Sequence, residues 1–248
     1  MNTHAPIDCG WADLRRRLPA TAGDSADDVE TPCLVVVRSE FEQNLDTCAM
    51  RVSRSNGIVL RPHVKSHKSS VLAEMQCIRS PAQMCGVTCQ KVCEVEMMVP
   101  AMVRATGRCS SAEVVTSTAK SGSGNTAAPA AHVPAEGAEA VSPLPRNFRT
   151  GRFTVLLSNQ CVGPRKIQRL VAAAIAGAVA EAKLRDGGDT APASPSEGDT
   201  EEPLVSLVFD NAGNARDVAA AATEAGVELG ALVECDAGQH RCGVRTPG

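Results

Sequence analysis

The chain has 248 residues, of which 43% are hydrophobic, and a formal net charge of −3. This length suits one large domain with a packed core, and without a basic surplus no field favours nucleic acid or an anionic membrane. Aromatic residues make up 2% and tyrosine is absent, so stacking of bases on aromatic platforms is not expected. A tyrosine acid or base would have to come from outside this chain. No apolar run approaches the ~20 residues of a membrane span. Near the N-terminus Arg15, Arg16 and Arg17 are mixed with Asp8, Asp13, Asp24, Asp27 and Asp28. Transit peptides are poor in acids and signal peptides need an apolar stretch, so the expected location is the cytoplasm. The 11 cysteines accordingly read as reduced thiols. Cys85, Cys89 and Cys93 recur at every fourth position, but the spacing matches no zinc pattern and no histidine joins them. Buried small hydrophobes are the better account.

In chain order, residues 1–30 are polar and expected to be loosely ordered. Segment 31–37 (TPCLVVV) is short, apolar and β-branched, and predicts a strand. Ser39 is placed to cap a helix over 40–55, with Phe41, Leu45, Cys48 and Val52 on one face, stopped by Asn56-Gly57. A strand at 58–60 runs into RPHVKSHK (61–68). A helix is expected over 70–78, a strand over 83–88 and a helix over 91–103. Residues 104–150 are rich in Ser, Ala, Gly, Thr and Pro without hydrophobic period, and read as a disordered insertion. The two glycines of SGSGNTAAPAA neither follow a strand nor open a helix, so a phosphate loop is not expected there. A strand follows at 153–157, then a helix over 164–184 with Ile167, Leu170, Val171 and Ile175 on one face. A second polar insertion spans 185–203. A strand at 204–209, a helix over 215–225 capped by Asn214 and closed by Gly226, and a strand at 229–234 complete the pattern.

Short apolar strands alternating with amphipathic helices predict βαβ units and a parallel sheet. No GxGxxG follows the first strand, which counts against a dinucleotide fold. The expected architecture is α/β, an incomplete (β/α) barrel: five strands from residue 58 onward, where closure takes eight. The expected organisation is a segment 1–30 and a partial barrel domain 31–248, interrupted at 104–150 and 185–203. Lys65, Asn159, Asp210 and Arg241 all fall at C-terminal strand ends, where barrels carry their chemistry.

A lysine amine that is partly unprotonated condenses with aldehydes, and neighbouring positive charge and desolvation favour that form. Arg61, His63, His67 and Lys68 crowd Lys65 along the chain. Taken by itself, the segment reads more readily as a solvated basic loop. However, TPCLVVV, RPHVKSHK, VTCQKVCEVE, SNQCVGPRKIQRL, VFDNAGNARDVAAA and LVECDAGQHRCGV stand in this order along the chain. Together they resemble the D-threonine aldolase family and, more loosely, the eukaryotic-type D-serine dehydratases, over residues 31–244 apart from the insertions. Both are fold type III pyridoxal 5'-phosphate (PLP) enzymes, with an alanine-racemase-like barrel followed by a β domain.

The resemblance implies that Lys65 binds PLP and that Arg241 sits beside the cofactor's phenolic oxygen or ring. A salt bridge from Arg241 to Asp236 is the alternative. Gln90, Asn159 and Gln160 are candidates to line the pocket or merely to bond within loops, and His63 to orient the lysine or relay a proton. Cys93 stands where the family has a small residue and Gln160 where it commonly has Glu. The implied activity is cleavage of a D-3-hydroxy amino acid to glycine and an aldehyde. The rivals are elimination by a D-serine dehydratase and a PLP-binding remnant without turnover. The implied partner is a small-molecule D-amino acid, with a homodimer as the candidate assembly. The family's phosphate loops and divalent-metal ligands come from later segments with no counterpart here. PLP is therefore the cofactor expected of this chain, and a metal (Zn or Mn) only of a full-length protein. The chain alone is expected to be poorly stable and inactive, with strand 31–37 lacking its partner.

Overall fold

The computed structural model describes residues 23–29, 31–54, 58–110, 152–186 and 202–245. The chain divides into two units, Met1–Asn44 and Leu45–Gly248. In the first, 31–37 is not a strand: residues 33–37 carry no regular structure, and Leu34, Val35, Val36 and Val37 are exposed. A strand needs a neighbour for its backbone N–H and C=O groups, and among the described residues this segment pairs with none. Helix α1 (Arg38–Ser53) follows. Within its first turns Arg38 donates from Nε to Glu42 Oε1 at 2.7 Å, the exposed i,i+4 pairing that supports a helix weakly. Its buried residues are Leu45 and Ala49. The stripe therefore runs through Ala49 rather than Cys48, which is exposed.

The second unit is built on a parallel sheet in sequential order: β1 (Gly86–Cys89), β2 (Thr154–Leu157), β3 (Val205–Phe209) and β4 (Gly230–Val233). Residues 60–63 lie along the outer side of β1 through parallel bridges Leu60↔Met84 and His63↔Thr88. Of the five strands predicted from residue 58 onward, four form the sheet and the first appears only as this bridged segment. Between them run α2 (Ser70–Arg79), α3 (Val92–Ser110), α4 (Pro164–Asp186) and α5 (Ala212–Glu224). Parallel neighbours joined by right-handed crossovers require helices on one face. The register gives that face its character. Val87, Val155 and Val205 form one row, and Cys89, Leu157 and Leu207 the next. All six are buried. The alternate positions, pointing to the opposite face, include Gly86, Thr88, Thr154, Ser206 and Gly230. Apolar residues pack under the helices, while the opposite face mixes these small and hydroxylated residues with Leu156, Val208 and Leu232.

The helix ends follow local chemistry. Ser69 Oγ accepts from Leu72 N at 3.3 Å and caps α2. Pro164 opens α4, where its missing N–H costs nothing. The cap of α5 is Asn211, whose side chain accepts from Asn214 N at 3.1 Å. Asn214 is therefore the donor of that bond and not the cap, and the helix starts earlier than predicted. On α4, Ile167, Leu170 and Val171 are buried as expected, but Ile175 is exposed and Ala174 and Gly177 take the inner positions. Helix α3 continues to Ser110, past the composition change at 104. The remainder of that insertion (111–150) and 187–201 of the second lie outside the described residues. Phe153, Met98, Met102, Leu157, Leu170 and Leu207 are fully enclosed at the centre. Cys85 and Cys89 are buried as small apolar residues, but Cys93 is exposed on α3. Burial pushes the Cys77 thiol up to about 12, so it is inert as a nucleophile.

Gly86 is required by geometry. Its φ is +131°, and an added Cβ would stand 1.9 Å from the Thr154 carbonyl oxygen. Beneath it, Arg61 donates to Thr154 Oγ1 at 2.7 Å and pairs with Glu202 at 3.2 Å. Arg152 is held by Glu181 at 2.9 Å, with both side chains about nine-tenths enclosed. These pairs tie the N-terminal ends of the strands and leave the other ends free for loops.

Candidate active site at the C-terminal strand ends

Lys65 stands just past the first bridged segment. The preceding Val64 is fully buried, and its N–H donates to Thr88 O at 2.9 Å. The tie continues β1's pairing and fixes the backbone at Lys65, whose side chain is exposed. Lys68 N donates to Val64 O at 2.8 Å and closes one turn. Lys68 itself adopts φ 49°. The basic segment is therefore a tight, anchored turn that projects a lysine from the sheet edge, not a loose loop.

His63 has a defined state in this turn. Its Nδ1 accepts the backbone N–H of Lys65 at 3.3 Å, which requires that nitrogen to be unprotonated and leaves the ring proton on Nε2. Burial, and then the charge of Lys65, lower the pKa of His63, while Glu94 opposes them. Geometry and electrostatics agree on a neutral imidazole. His67 is likewise lowered, first by burial, and its Nδ1 accepts from Ser69 N at 3.0 Å.

The next strand ends are stitched together. Gln90, after β1, accepts through its carbonyl from Asn159 Nδ2 at 2.8 Å. Its N–H donates to Glu94 Oε2 at 2.7 Å, in the manner of a capping box at the start of α3. Asn159, after β2, is therefore committed to a bond between strand ends. Ser158 adds N–H and hydroxyl donations to Cys89 O at 2.8 and 3.1 Å. Gln160 donates from Nε2 to Glu234 Oε2 at 2.6 Å, crossing from β2 to the end of β4. Asn214 Nδ2 donates to Cys161 O at 2.8 Å.

Arg241 lies in the loop after β4 and is exposed. Asp236 does not pair with it: the carboxylate takes His240 instead, at 2.9 Å from Nδ1. Lys65, Gln90, Asn159, Asp210 and Arg241 thus share the C-terminal edge of the sheet, as predicted, with Gln90 and Asn159 bonded to each other. Sequence reasoning missed Glu94 and Glu234. Glu94 is buried, with one carboxylate oxygen lacking a described partner. An acid at the third position of a helix was the available signal for it. Nothing in the sequence marks Glu234 as the link between Gln160 and Cys242, because those contacts span 74 and 8 residues. No group of three or more His, Cys, Asp or Glu among the described residues could hold a metal ion. No described helix is long and apolar enough to cross a membrane.

Proteins similar to this chain are enzymes. The chain is 26% identical over 243 residues, 98% of its length, to the 3-hydroxy-D-aspartate aldolase of Paracoccus denitrificans, and covers 43% of that protein. It is 26% identical over 226 residues, 91% of its length, to the D-threonine aldolase of an Arthrobacter species, covering 39% of it. The crystal structure of D-threonine aldolase from Filomicrobium marinum superposes with a TM-score of 0.57 at 27% identity, over 94% of this chain and 41% of that one. The resemblance to D-threonine aldolases carried by the six motifs is borne out, and the chain is a relative of these enzymes. It spans about two fifths of the length of the curated relatives it matches. No protein-family profile matches it.

Proposed function

We propose that this chain forms the lysine-bearing part of a PLP-dependent, aldolase-type lyase that cleaves D-3-hydroxy amino acids to glycine and an aldehyde. The observation that carries the reading is Lys65, an exposed amine on an anchored turn at the C-terminal edge of a parallel sheet, in a chain resembling two such aldolases along nearly its whole length. In this reading the sheet is part of the wall of a (β/α) barrel.

The donor set fits the cofactor. PLP requires an amine for its aldehyde carbon and gains from a fixed cation near its ring, and Lys65 and Arg241 offer these two groups on one sheet edge. When bound, PLP takes up the electrons released as Cα–Cβ breaks. The protein's own residues do the rest. Lys65 would hold the cofactor through its amine. His63 keeps a neutral ring beside that amine and presents a proton at Nε2. Asn159 and Gln90 hold the ends of β1 and β2 in fixed relation. Arg241 supplies positive charge.

Product analysis tests the reading. In a full-length protein that contains this chain, supplied with PLP and a divalent metal, glycine is expected from D-threonine and from 3-hydroxy-D-aspartate, and none after Lys65→Ala. A 2-oxo acid with ammonia from D-serine would move the assignment to a dehydratase. PLP uptake without either product would reduce it to a binding remnant.

A further inference from the structure

The loop after β4 is more heavily tied than an exposed loop needs to be, and every tie flanks Arg241. Asp236 Oδ1 accepts two backbone N–H groups, from Gly238 at 3.0 Å and His240 at 2.9 Å. Its Oδ2 accepts from His240 Nδ1 at 2.9 Å. The Asp236 side chain is 6% exposed although His240 is 70% exposed, so the carboxylate lies inside the loop. His240 is held at φ 55°, the left-handed region that non-glycine residues seldom occupy. On the other side, Cys242 Sγ donates to Glu234 Oε1 at 2.9 Å and Gly243 N to Asp210 Oδ2 at 3.2 Å. Gly243 has φ +100°, and a Cβ there would stand 2.6 Å from Asp236 N. Asp236 N in turn donates to Val244 O at 2.9 Å, closing the loop.

We propose that Asp236 is a positioning residue for Arg241: its carboxylate, bonded to Gly238 and His240, fixes the loop that presents the Arg241 guanidinium at the sheet edge. The role for Arg241 rests on the cofactor reading above; the clamp itself does not. A charged acceptor within a turn makes hydrogen bonds about twice as strong as neutral ones, and Asp236 makes three. A left-handed residue persists only where its surroundings over-determine it. At His240 the Asp236 carboxylate does so through both the backbone and the ring. An arginine one residue beyond a pinned residue, and one before Cys242, which is pinned to Glu234, has its Cα fixed and only its side chain to order.

Hydrogen exchange and cofactor titration on the full chain test this. In Asp236→Ala, the Gly238 and His240 amides are expected to exchange about tenfold faster or more, while Val155 and Leu207 keep their protection, which excludes general unfolding. PLP affinity should fall, and Asp236→Ala/Arg241→Ala should bind no more weakly than Arg241→Ala alone. Asp236→Asn, whose amide oxygen still accepts from the two N–H groups, should recover part of both effects. Unchanged exchange in Asp236→Ala overturns the proposal. So does a loss of PLP affinity in Asp236→Ala that adds in full to that of Arg241→Ala. If the unaltered chain takes up no PLP, the cofactor reading of Arg241 fails, and the exchange rates alone decide the clamp.

Discussion

Strands β2 and β4 are alike in sequence, TVLL against GALV, yet they sit in different surroundings. On the helix-covered face, Val155 is 0% and Leu157 2% exposed in β2, whereas Val233, in the row of Phe209, is 71% exposed in β4. Both strands pair with β3. The difference is cover: α3 and α4 follow β1 and β2, whereas no described helix follows β4. Burial in this fold is thus set by the next crossover and not by the strand's composition. The order at the end of β4 must come from polar ties. The Lys65 turn leans on the buried side of the sheet through Val64 and Thr88. The Arg241 loop leans on the carboxylates of Asp210, Glu234 and Asp236.

The comparison can be broken most severely at Gly86. Gly86→Ala forces a side chain onto the Thr154 carbonyl at a positive φ. It is expected to cost about 4 kcal/mol or more, seen as loss of the cooperative urea transition. Next comes a matched pair. Leu207→Ala in the enclosed β3 should cost about 2–5 kcal/mol through transfer and cavity terms, and Val233→Ala, on the same face of β4, less than about 1 kcal/mol. Equal costs in urea melts would mean that β4 is covered too. Third, Arg152→Met leaves Glu181 nearly enclosed and unpaired and is expected to cost about 2–4 kcal/mol. Arg38→Met, at an exposed pair, should stay within about 0.5 kcal/mol.

The smallest effect concerns pH. His63 has a folded pKa lowered from 6.5, so its unfolded form binds the proton more readily. The stability gained by keeping the ring neutral is full above 6.5 and lost as pH falls from 6.5 through the folded value. Thermal melts across that window should show a shallower acid decline for His63→Gln than for the unaltered chain.

Much of this was legible from residue order. Periodicity located the strands and helices of the sheet, because each buried row repeats the strand period and each crossover helix carries an apolar stripe. The segment 31–37 failed because apolar and β-branched composition describes a strand's side chains, whereas a strand exists only with a pairing neighbour. The α5 cap was misplaced because two asparagines stand three residues apart, and only the backbone shows which accepts and which donates. The placement of Lys65, Asp210 and Arg241 at one edge followed from topology. The commitment of Asp236 to His240, and of Glu234 to Gln160, did not, since side-chain partners at a sheet edge depend on loop paths that no period encodes.

The most direct test of the central claim is to treat the chain with PLP and sodium borohydride, digest it, and locate the pyridoxyl-lysine by mass spectrometry. Labelling concentrated on Lys65, and absent in Lys65→Ala without transfer to Lys68 or Lys91, is the predicted result. Labelling spread over exposed lysines in proportion to their accessibility, or unchanged in Lys65→Ala, would contradict the account.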